Sequence, residues 1–179
     1  LLGCIEMIAS GTTCFADGYF FPDETVRAVS ESGMRALIAQ GVIDFPAPGV
    51  PDPSGGIDIA ASFIERFNGK FSRITPGLFC HSPLTCGADT LKSAAGVSRH
   101  FRVPIQIHLS ETASERAEIE ARHRMAPARY LESIGFLGPD LLAVHAIHLD
   151  RDEIACLRQN GVNIAHTPES NMKLCSGIA

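Results

Sequence analysis

Short apolar runs alternate with longer amphipathic stretches along the whole chain. Six of the short runs are rich in β-branched and apolar residues and predict strands. These predicted strands are residues 12–17, 35–43, 74–81, 104–109, 141–149 and 162–166. The stretches between them have the apolar period of helices that pack against a core. The predicted helices are residues 1–10, 23–32, 57–67, 88–100, 114–124, 127–134 and 152–160, and Gly33 is expected to end the second.

Strands that alternate with helices at this spacing predict parallel βαβ units with right-handed crossovers. Either an open doubly wound sheet or a closed (β/α)8 barrel can be built from such units. An open sheet gathers its ligand-binding residues at one switch point, whereas polar residues here follow nearly every strand from the third onward. This pattern favours a barrel rim. We expect residues 1–179 to be the central part of one (β/α)8 TIM-type barrel domain, covering about strands 2–7, with residues 45–56 as a rim loop.

Histidines mark the ends of four predicted strands. They are His81, His108, His145 and His166, and Glu111 follows His108 by three residues. The carboxyl ends of parallel barrel strands form one rim, which is where such barrels carry out their chemistry. Imidazoles that converge on a rim beside a carboxylate indicate a metal-assisted hydrolytic site.

Charge and cysteine content narrow the function classes further. The 179 residues have a formal net charge of −5, with 45% hydrophobic and 20% charged residues, which is typical of a globular domain. A negative net charge with no cluster of Lys or Arg residues argues against nucleic acid or an anionic membrane as a partner. No apolar stretch approaches the roughly 20 residues of a membrane span. The six cysteines form no CxxC pair, so we expect free thiols in a reducing, cytoplasmic setting.

Five segments of the chain, in this order and spacing, resemble the amidohydrolase superfamily. They are residues 11–17 (GTTCFAD), 81–85 (HSPLT), 108–112 (HLSET), 145–149 (HAIHL) and 166–178 (HTPESNMKLCSGI). Within that superfamily the sequence is similar to the branch of methylthioadenosine/S-adenosylhomocysteine deaminases and triazine chlorohydrolases. The HxxE of the third segment and the HxPxSNxKLxSG of the fifth are the most specific. The resemblance implies a (β/α)8 barrel of the metal-dependent hydrolase type with one divalent metal, usually Zn²⁺, with Fe²⁺ as the alternative.

The resemblance also implies a role for each of four residues. His108 matches a metal ligand on the fifth barrel strand. Glu111 matches the catalytic carboxylate that contacts the substrate and shuttles protons between the attacking water and a ring nitrogen. His145 matches a catalytic histidine that contacts the metal-bound water. His81 matches a histidine that contacts the substrate.

Other metal ligands that the resemblance implies are absent from the chain. The superfamily's first-strand HxH pair occurs nowhere in it, and the eighth-strand aspartate would follow Ala179. The chain also starts in helix-like sequence without a methionine. We therefore expect it to begin within the barrel, to supply one metal ligand of the usual four, and to belong to a longer gene product that is the enzyme.

Three of the matched residues have structural alternatives. Glu111 can serve as a cap or a negative charge at a helix start, with Thr112 and Ser114 as caps. His108 can be a buried, hydrogen-bonded strand histidine. His81 stands two residues before Pro83, which ends the strand, and can stabilise the turn.

The predicted strand 141–149 contains two histidines, His145 and His148. Residues three apart on a strand point to opposite faces, so one of them faces the barrel interior. The resemblance selects His145, and His148 is then expected to be structural and to pack under the following helix. Substrate contact and loop structure are both left open for His166, Asn171, Lys173 and Ser176.

The expected activity is hydrolytic deamination of an amino-substituted heterocycle, such as an adenosine-like nucleoside, by metal-activated water. The enzyme alternatives are guanine deaminase-like and s-triazine hydrolase-like activity. The non-enzyme alternative is a catalytically silent barrel segment that acts as a structural or interaction module. The partner is a small heterocyclic molecule, and homo-oligomerisation is left open. Because Gln40 is neutral and residues 44–57 contain no Arg or Lys, the sequence predicts a preference for uncharged substrates over S-adenosylhomocysteine.

Overall fold

Six parallel strands form one curled sheet in which the spatial order is the chain order. The computed structural model describes residues 1–179. Each strand pairs with the next, and Leu109, for example, lies opposite His145. This is the pairing expected of consecutive βαβ units. The strands are β1 (Cys14–Tyr19), β2 (Arg35–Val42), β3 (Ile74–Cys80), β4 (Ile105–Leu109), β5 (Leu141–His145) and β6 (Asn163–Ala165).

Helices occupy the connections between the strands, and their ends follow local rules. Gly33 ends the second helix with a left-handed φ of 73° and donates its N–H to Val29, as predicted. Asp150 and Glu153 form a reciprocal capping box at the start of the seventh. None of the helices is long and apolar enough to span a membrane. The helices are α1 (Leu2–Ala9), α2 (Pro22–Ser32), α3 (Gly56–Phe67), α4 (Ala88–Phe101), α5 (Ala113–His123), α6 (Pro127–Ser133), α7 (Arg151–Gln159) and α8 (Pro168–Lys173).

The two faces of the sheet differ in what they contact. Along β4, Ile105, Ile107 and Leu109 belong to the buried apolar core. The intervening Gln106 and His108 line a cavity of about 290 Å³ on the other face. Alternation along a strand produces this division. A side chain on the cavity face at the carboxyl end of a strand is therefore placed to meet a ligand.

The structure corrects the predicted end of the fifth strand. β5 stops at His145 rather than continuing to residue 149, because His145 and Ala146 both adopt left-handed φ angles, 74° and 51°. His148 therefore lies in a turn and not in the strand. Nε2 of its ring lies 2.8 Å from the carbonyl oxygen of Ser176, which gives His148 the structural role that was predicted.

Other differences from the sequence prediction are small. β1 is shifted by two residues toward the carboxyl end, and β6 is only three residues long. The predicted rim loop contains an isolated antiparallel bridge between Ala47 and Val50 and a 3-10 turn at Pro53–Gly55. The short helix α8 was not predicted. With six residues, it offers less than two turns of apolar periodicity to detect.

Candidate active site

The carboxyl ends of β3, β4 and β5 bring four of the predicted site residues together. The ring centroid of His108 lies 5.2 Å from that of His81 and 5.2 Å from that of His145. Glu111 approaches from the turn after β4, and its Oε1 lies 3.5 Å from Nε2 of His145. Three imidazoles and one carboxylate thus occupy one small region at the strand ends.

His108 occupies the centre of this group. Phe79 packs edge-on against its ring at a centroid distance of 4.9 Å. Burial, together with the neighbouring His81 and His145, lowers the pKa of His108 to about 4. At neutral pH the ring is therefore uncharged and keeps a lone pair for a metal or a hydrogen-bond donor.

Glu111 is held by the backbone of the turn that carries it. Ser110 has a left-handed φ of 50°, which turns the chain away from β4. The carboxylate of Glu115 accepts hydrogen bonds from the backbone N–H of Ser110 at 3.1 Å and of Glu111 at 2.8 Å. Thr112 caps α5 by accepting from the N–H of Glu115 at 3.0 Å. Thr112 and Glu115 therefore have the helix-start role that was the structural alternative for Glu111. The side chain of Glu111 faces His145 instead.

His145 reaches the site through an irregular backbone. Alternation along β5 places Leu142 and Val144 on the cavity face, so a regular strand would direct His145 toward the helices. The left-handed φ angles of His145 and Ala146 break that alternation. Non-glycine residues in this conformation store strain of order 1–3 kcal/mol each, and such strain clusters at functional sites.

Hydrogen bonds to the neighbouring turn hold this strained segment. The N–H of Ala146 donates to the carbonyl of Leu109 at 2.9 Å. The N–H groups of Ile147 and His148 both donate to the carbonyl of Ser110, at 3.1 and 2.9 Å. The turn that carries Glu111 and the turn that carries His145 therefore form one hydrogen-bonded unit.

An ion-pair network around the partly buried Arg116 supports the same unit from the helix side. Arg116 donates to the carbonyl of His148 at 2.6 Å and to Asp150 at 2.8 Å. It also pairs with Glu153, whose side chain is fully buried, and with Glu120 on the surface. These contacts raise the pKa of Arg116 against the opposing effect of burial. The network fixes the start of α7 relative to α5.

Two residues of the segment after β6 contact His145. They are Asn171, whose role the sequence left open, and Thr167, which the sequence analysis missed. Nδ1 of its ring lies 2.8 Å from Oδ1 of Asn171 and 2.8 Å from Oγ1 of Thr167. Asn171 is buried and lies in α8, 26 residues further along the chain. The polar run after the sixth strand was the available signal, but it did not reveal which of its members would turn inward.

His81 lies at the outer edge of the group. Its Nδ1 lies 2.8 Å from Oγ1 of Thr85, so part of its hydrogen-bonding capacity stabilises the turn, as the structural alternative requires. Partial burial lowers the pKa of His81, and the nearby Glu111 opposes that effect. The ring is exposed on its remaining side, where a substrate can reach it.

The other predicted or neighbouring residues lie apart from this group. His166 and Lys173 are exposed. Ser176 is buried, with its hydroxyl lacking a partner. Cys80 and Cys86 are free and buried, and Cys86 donates to the carbonyl of Val42, so their environment is that of core thiols.

The donor set of the chain fits a metal ion in part. A neutral, partly buried imidazole such as His108 is a typical zinc ligand. No group of three or more His, Cys, Asp or Glu side chains is placed to hold a metal by itself. Metal ligation by His108 therefore stays a prediction that requires donors in addition to those of this chain.

A family model supports the relationship that the motifs indicate. The amidohydrolase family model matches residues 1–179. Among curated proteins, the chain is 42% identical over 183 residues to a 5-methylthioadenosine/S-adenosylhomocysteine deaminase of Carboxydothermus hydrogenoformans. It is also 42% identical over 180 residues to a 5'-deoxyadenosine deaminase of Methanobrevibacter smithii. In both comparisons the match covers 100% of this chain and 41% of the relative, so the chain spans about two fifths of the length of these relatives.

Solved structures show the same relationship in three dimensions. An adenosine deaminase from Xanthomonas campestris with bound zinc superposes with a TM-score of 0.92 at 30% identity, covering 97% of this chain and 39% of that one. A guanine deaminase from C. acetobutylicum with bound guanine superposes with a TM-score of 0.88 at 24% identity, covering 98% of this chain and 44% of that one. The second likeness shows the fold alone. With the family model matching from the first residue to the last, the chain belongs to the amidohydrolase family.

Proposed function

We propose that the protein catalyses hydrolytic deamination of an adenosine-like nucleoside or a related amino-substituted heterocycle. The observation that carries this proposal is the 3.5 Å approach of Glu111 Oε1 to His145 Nε2, beside the ring of His108. A carboxylate and an imidazole in this arrangement can hold a water molecule and move its protons. The similarity to proteins named as methylthioadenosine/S-adenosylhomocysteine and 5'-deoxyadenosine deaminases supports the same reaction class.

Each residue of the group has a role in this reaction. Glu111 takes the first proton from the attacking water and delivers it to a ring nitrogen of the substrate. It then moves the second proton, from the hydroxyl of the tetrahedral adduct, to the leaving amine, which departs as ammonia. His145 hydrogen-bonds the same water through Nε2 and orients it. His81, with its exposed face, contacts the substrate. A divalent metal held by His108 and further ligands would supply a water with a pKa near 7, and Zn²⁺ is supported by the zinc-containing relative.

We also propose that β1 to β6 are strands 2–7 of a (β/α)8 barrel. The sequential parallel order and the close superposition on the zinc-containing adenosine deaminase support this assignment. The cavity face of the sheet would then be the barrel interior. The six cysteines, all free, support the proposal of a reducing, cytoplasmic setting.

The surroundings of β2 support a preference for uncharged substrates. Gln40 is buried, and its amide nitrogen donates to the carbonyl of Gly41. Arg66 lines the same cavity as Gln40. Arg66 is already engaged by both carboxylate oxygens of Asp23, at 2.6 and 3.1 Å. A desolvated substrate carboxylate would therefore lack a bidentate partner here.

Ammonia release from the full-length purified protein tests the proposal. The substrates are 5'-deoxyadenosine, methylthioadenosine, S-adenosylhomocysteine, guanine and an aminotriazine, and we expect the two uncharged nucleosides to have the highest kcat/KM. Glu111→Gln keeps the shape but cannot accept a proton, so kcat should fall by at least about 10². Glu118→Gln, an exposed change in α5, is the matched control. Turnover in Glu111→Gln equal to that of Glu118→Gln would refute the proton-transfer role.

The panel also separates the alternative functions. Activity on guanine or the aminotriazine alone would replace the nucleoside proposal with one of the related hydrolase activities. No ammonia from any substrate, together with no bound metal, would favour the silent barrel.

A further inference from the structure

The partners of His145 define which of its ring nitrogens carries a proton. Nδ1 lies 2.8 Å from Oδ1 of Asn171, and both residues are buried, 5% and 2% exposed. An amide oxygen can accept a hydrogen bond but cannot donate one. A contact of this length therefore requires a proton on Nδ1.

Thr167 completes this arrangement. Its hydroxyl has one proton, and Oγ1 lies 3.2 Å from Oδ1 of Asn171. When the hydroxyl donates to Asn171, the amide oxygen accepts from both Thr167 and Nδ1 of His145, which fills its two lone pairs. The hydroxyl oxygen, 2.8 Å from Nδ1, then serves as a second acceptor for the same ring proton.

The opposite side of the ring agrees with a proton on Nδ1. Nε2 faces Oε1 of Glu111 at 3.5 Å, which is longer than a direct hydrogen bond. A protonated Nε2 beside a carboxylate would close to 2.7–3.2 Å, the usual range for such bonds. An unprotonated Nε2 instead keeps a lone pair directed at the space between the two side chains.

The unpaired amide nitrogen of Asn171 also indicates that this side chain has a function. Its amide nitrogen is buried and has no hydrogen-bond partner. An unpaired buried donor destabilises a folded protein, so an apolar residue of similar size would suit the packing better. The oxygen of the same amide, in contact with His145, is the part of the side chain that gains from the arrangement.

We propose that Asn171 is a positioning residue that fixes His145 as the Nδ1–H tautomer and leaves Nε2 as a hydrogen-bond acceptor in the site. This inference deepens the proposed function and rests on it for its catalytic consequence. In that reaction the attacking water donates one hydrogen bond to Nε2 of His145 and its transferred proton to Glu111. The oxygen lone pair of the water is then free to face the substrate.

The tautomer can be measured without catalysis. We would record long-range ¹H–¹⁵N spectra of the full-length protein labelled with ¹⁵N-histidine and assign His145 by its loss in His145→Gln. We expect a protonated Nδ1 and an unprotonated Nε2 in the wild type. Asn171→Asp retains an oxygen acceptor and should keep this tautomer, whereas Asn171→Leu should shift the ring toward the Nε2–H form. A wild-type ring protonated on Nε2, as with the amide reversed, would overturn the proposal, and so would an unchanged tautomer in Asn171→Leu.

Kinetics and stability complete the test. In Asn171→Leu we expect kcat for the best nucleoside to fall by about 10–100-fold, as for other residues that orient a site histidine, with KM little changed. Asn171→Asp should retain most of the activity. The thermal midpoint of Asn171→Leu should change little, because removal of the unpaired amide nitrogen offsets the loss of the oxygen that accepts from His145 and Thr167. A changed tautomer with unchanged kcat would overturn the positioning role. If no substrate is deaminated, the proposed function fails while the spectra still decide the tautomer.

Discussion

Glu153 offers the sharpest test of how the site is supported. Its carboxylate is fully buried in α7, and it accepts from the backbone N–H groups of Ala128 and Asp150, each at 3.1 Å, as well as from Arg116. The change Glu153→Gln preserves size and one oxygen. The amide nitrogen that replaces the second oxygen then faces Arg116 and the N–H of Asp150, which are both donors.

The expected loss follows from these contacts. Each hydrogen bond to a charged group contributes about 1.5–3 kcal/mol, and two are lost. Removing one partner of a buried pair costs about 3–5 kcal/mol when the other charge is left uncompensated, and here Asp150 and Glu120 still compensate Arg116 in part. The variant no longer has to bury a charge, which offsets part of the loss. We therefore expect the free energy of unfolding to fall by about 3–4 kcal/mol.

Glu120→Gln is the matched control, because Glu120 pairs with the same Arg116, at 2.9 Å, but from the surface. Exposed pairs of this kind contribute about 0.2–1 kcal/mol. Urea denaturation of the purified protein at pH 7 gives both losses from the transition midpoints, provided that the slopes are equal. Similar losses for the two variants would show that burial of Glu153 does not determine how much its contacts contribute to the free energy of unfolding, and would refute the reasoning.

Three further predictions concern the site and the turns around it. Ala146→Gly should raise the free energy of unfolding or leave it level, because Ala146 has a left-handed φ of 51° that glycine adopts without strain. Ala117→Gly, in the exposed interior of α5, should instead lower it by about 1 kcal/mol, and equal losses for the two variants in urea denaturation would contradict this. Burial raises the pKa of Glu115, and nearby Glu111 raises it further, against the hydrogen bonds it accepts. The contribution of this carboxyl group to the free energy of unfolding is therefore complete below about pH 4.3 and declines as pH rises through the raised pKa. The loss of stability in Glu115→Gln should then become smaller from pH 4 to 7. A loss that grows over this range would show that the pKa of Glu115 is lowered instead. Finally, metal analysis of the full-length protein should show less bound zinc in His108→Ala than in the wild type, and equal zinc would remove the assignment of His108 as a ligand.

Regular parts of the fold could be predicted because they depend on local pattern. β4 alternates between core and cavity faces, so the sequence places His108 on the side opposite Ile107 and Leu109. The start of α5 follows from Thr112 and Glu115, whose spacing is that of a capping box. The meeting of His81 and His108 follows from the parallel pairing of β3 with β4.

The other parts of the fold and of the site depend on backbone conformations and long-range contacts that the pattern of hydrophobic and polar residues does not encode. His145 would face the helices if β5 were regular. The left-handed φ angles that redirect it occur at His145 and Ala146, and without a glycine there the sequence does not predict them. Asn171 contacts His145 only because the residues after β6 fold back onto the end of β5. Arg116 resembles any charged residue on a helix surface until α7 is packed beside it.

The sequential order of the strands has a consequence for how the chain folds. Because every strand pairs only with its neighbours along the chain, paired residues are separated by about 20–40 positions, and no pairing has to wait for a distant part of the sequence. During synthesis from the amino terminus, each new strand can add to an edge that already exists. The growing edge is itself an unpaired strand that could bind the wrong partner. The helix that follows each strand must be synthesised before the next strand can pair. The rate of translation through these connections therefore determines how long each edge strand remains unpaired.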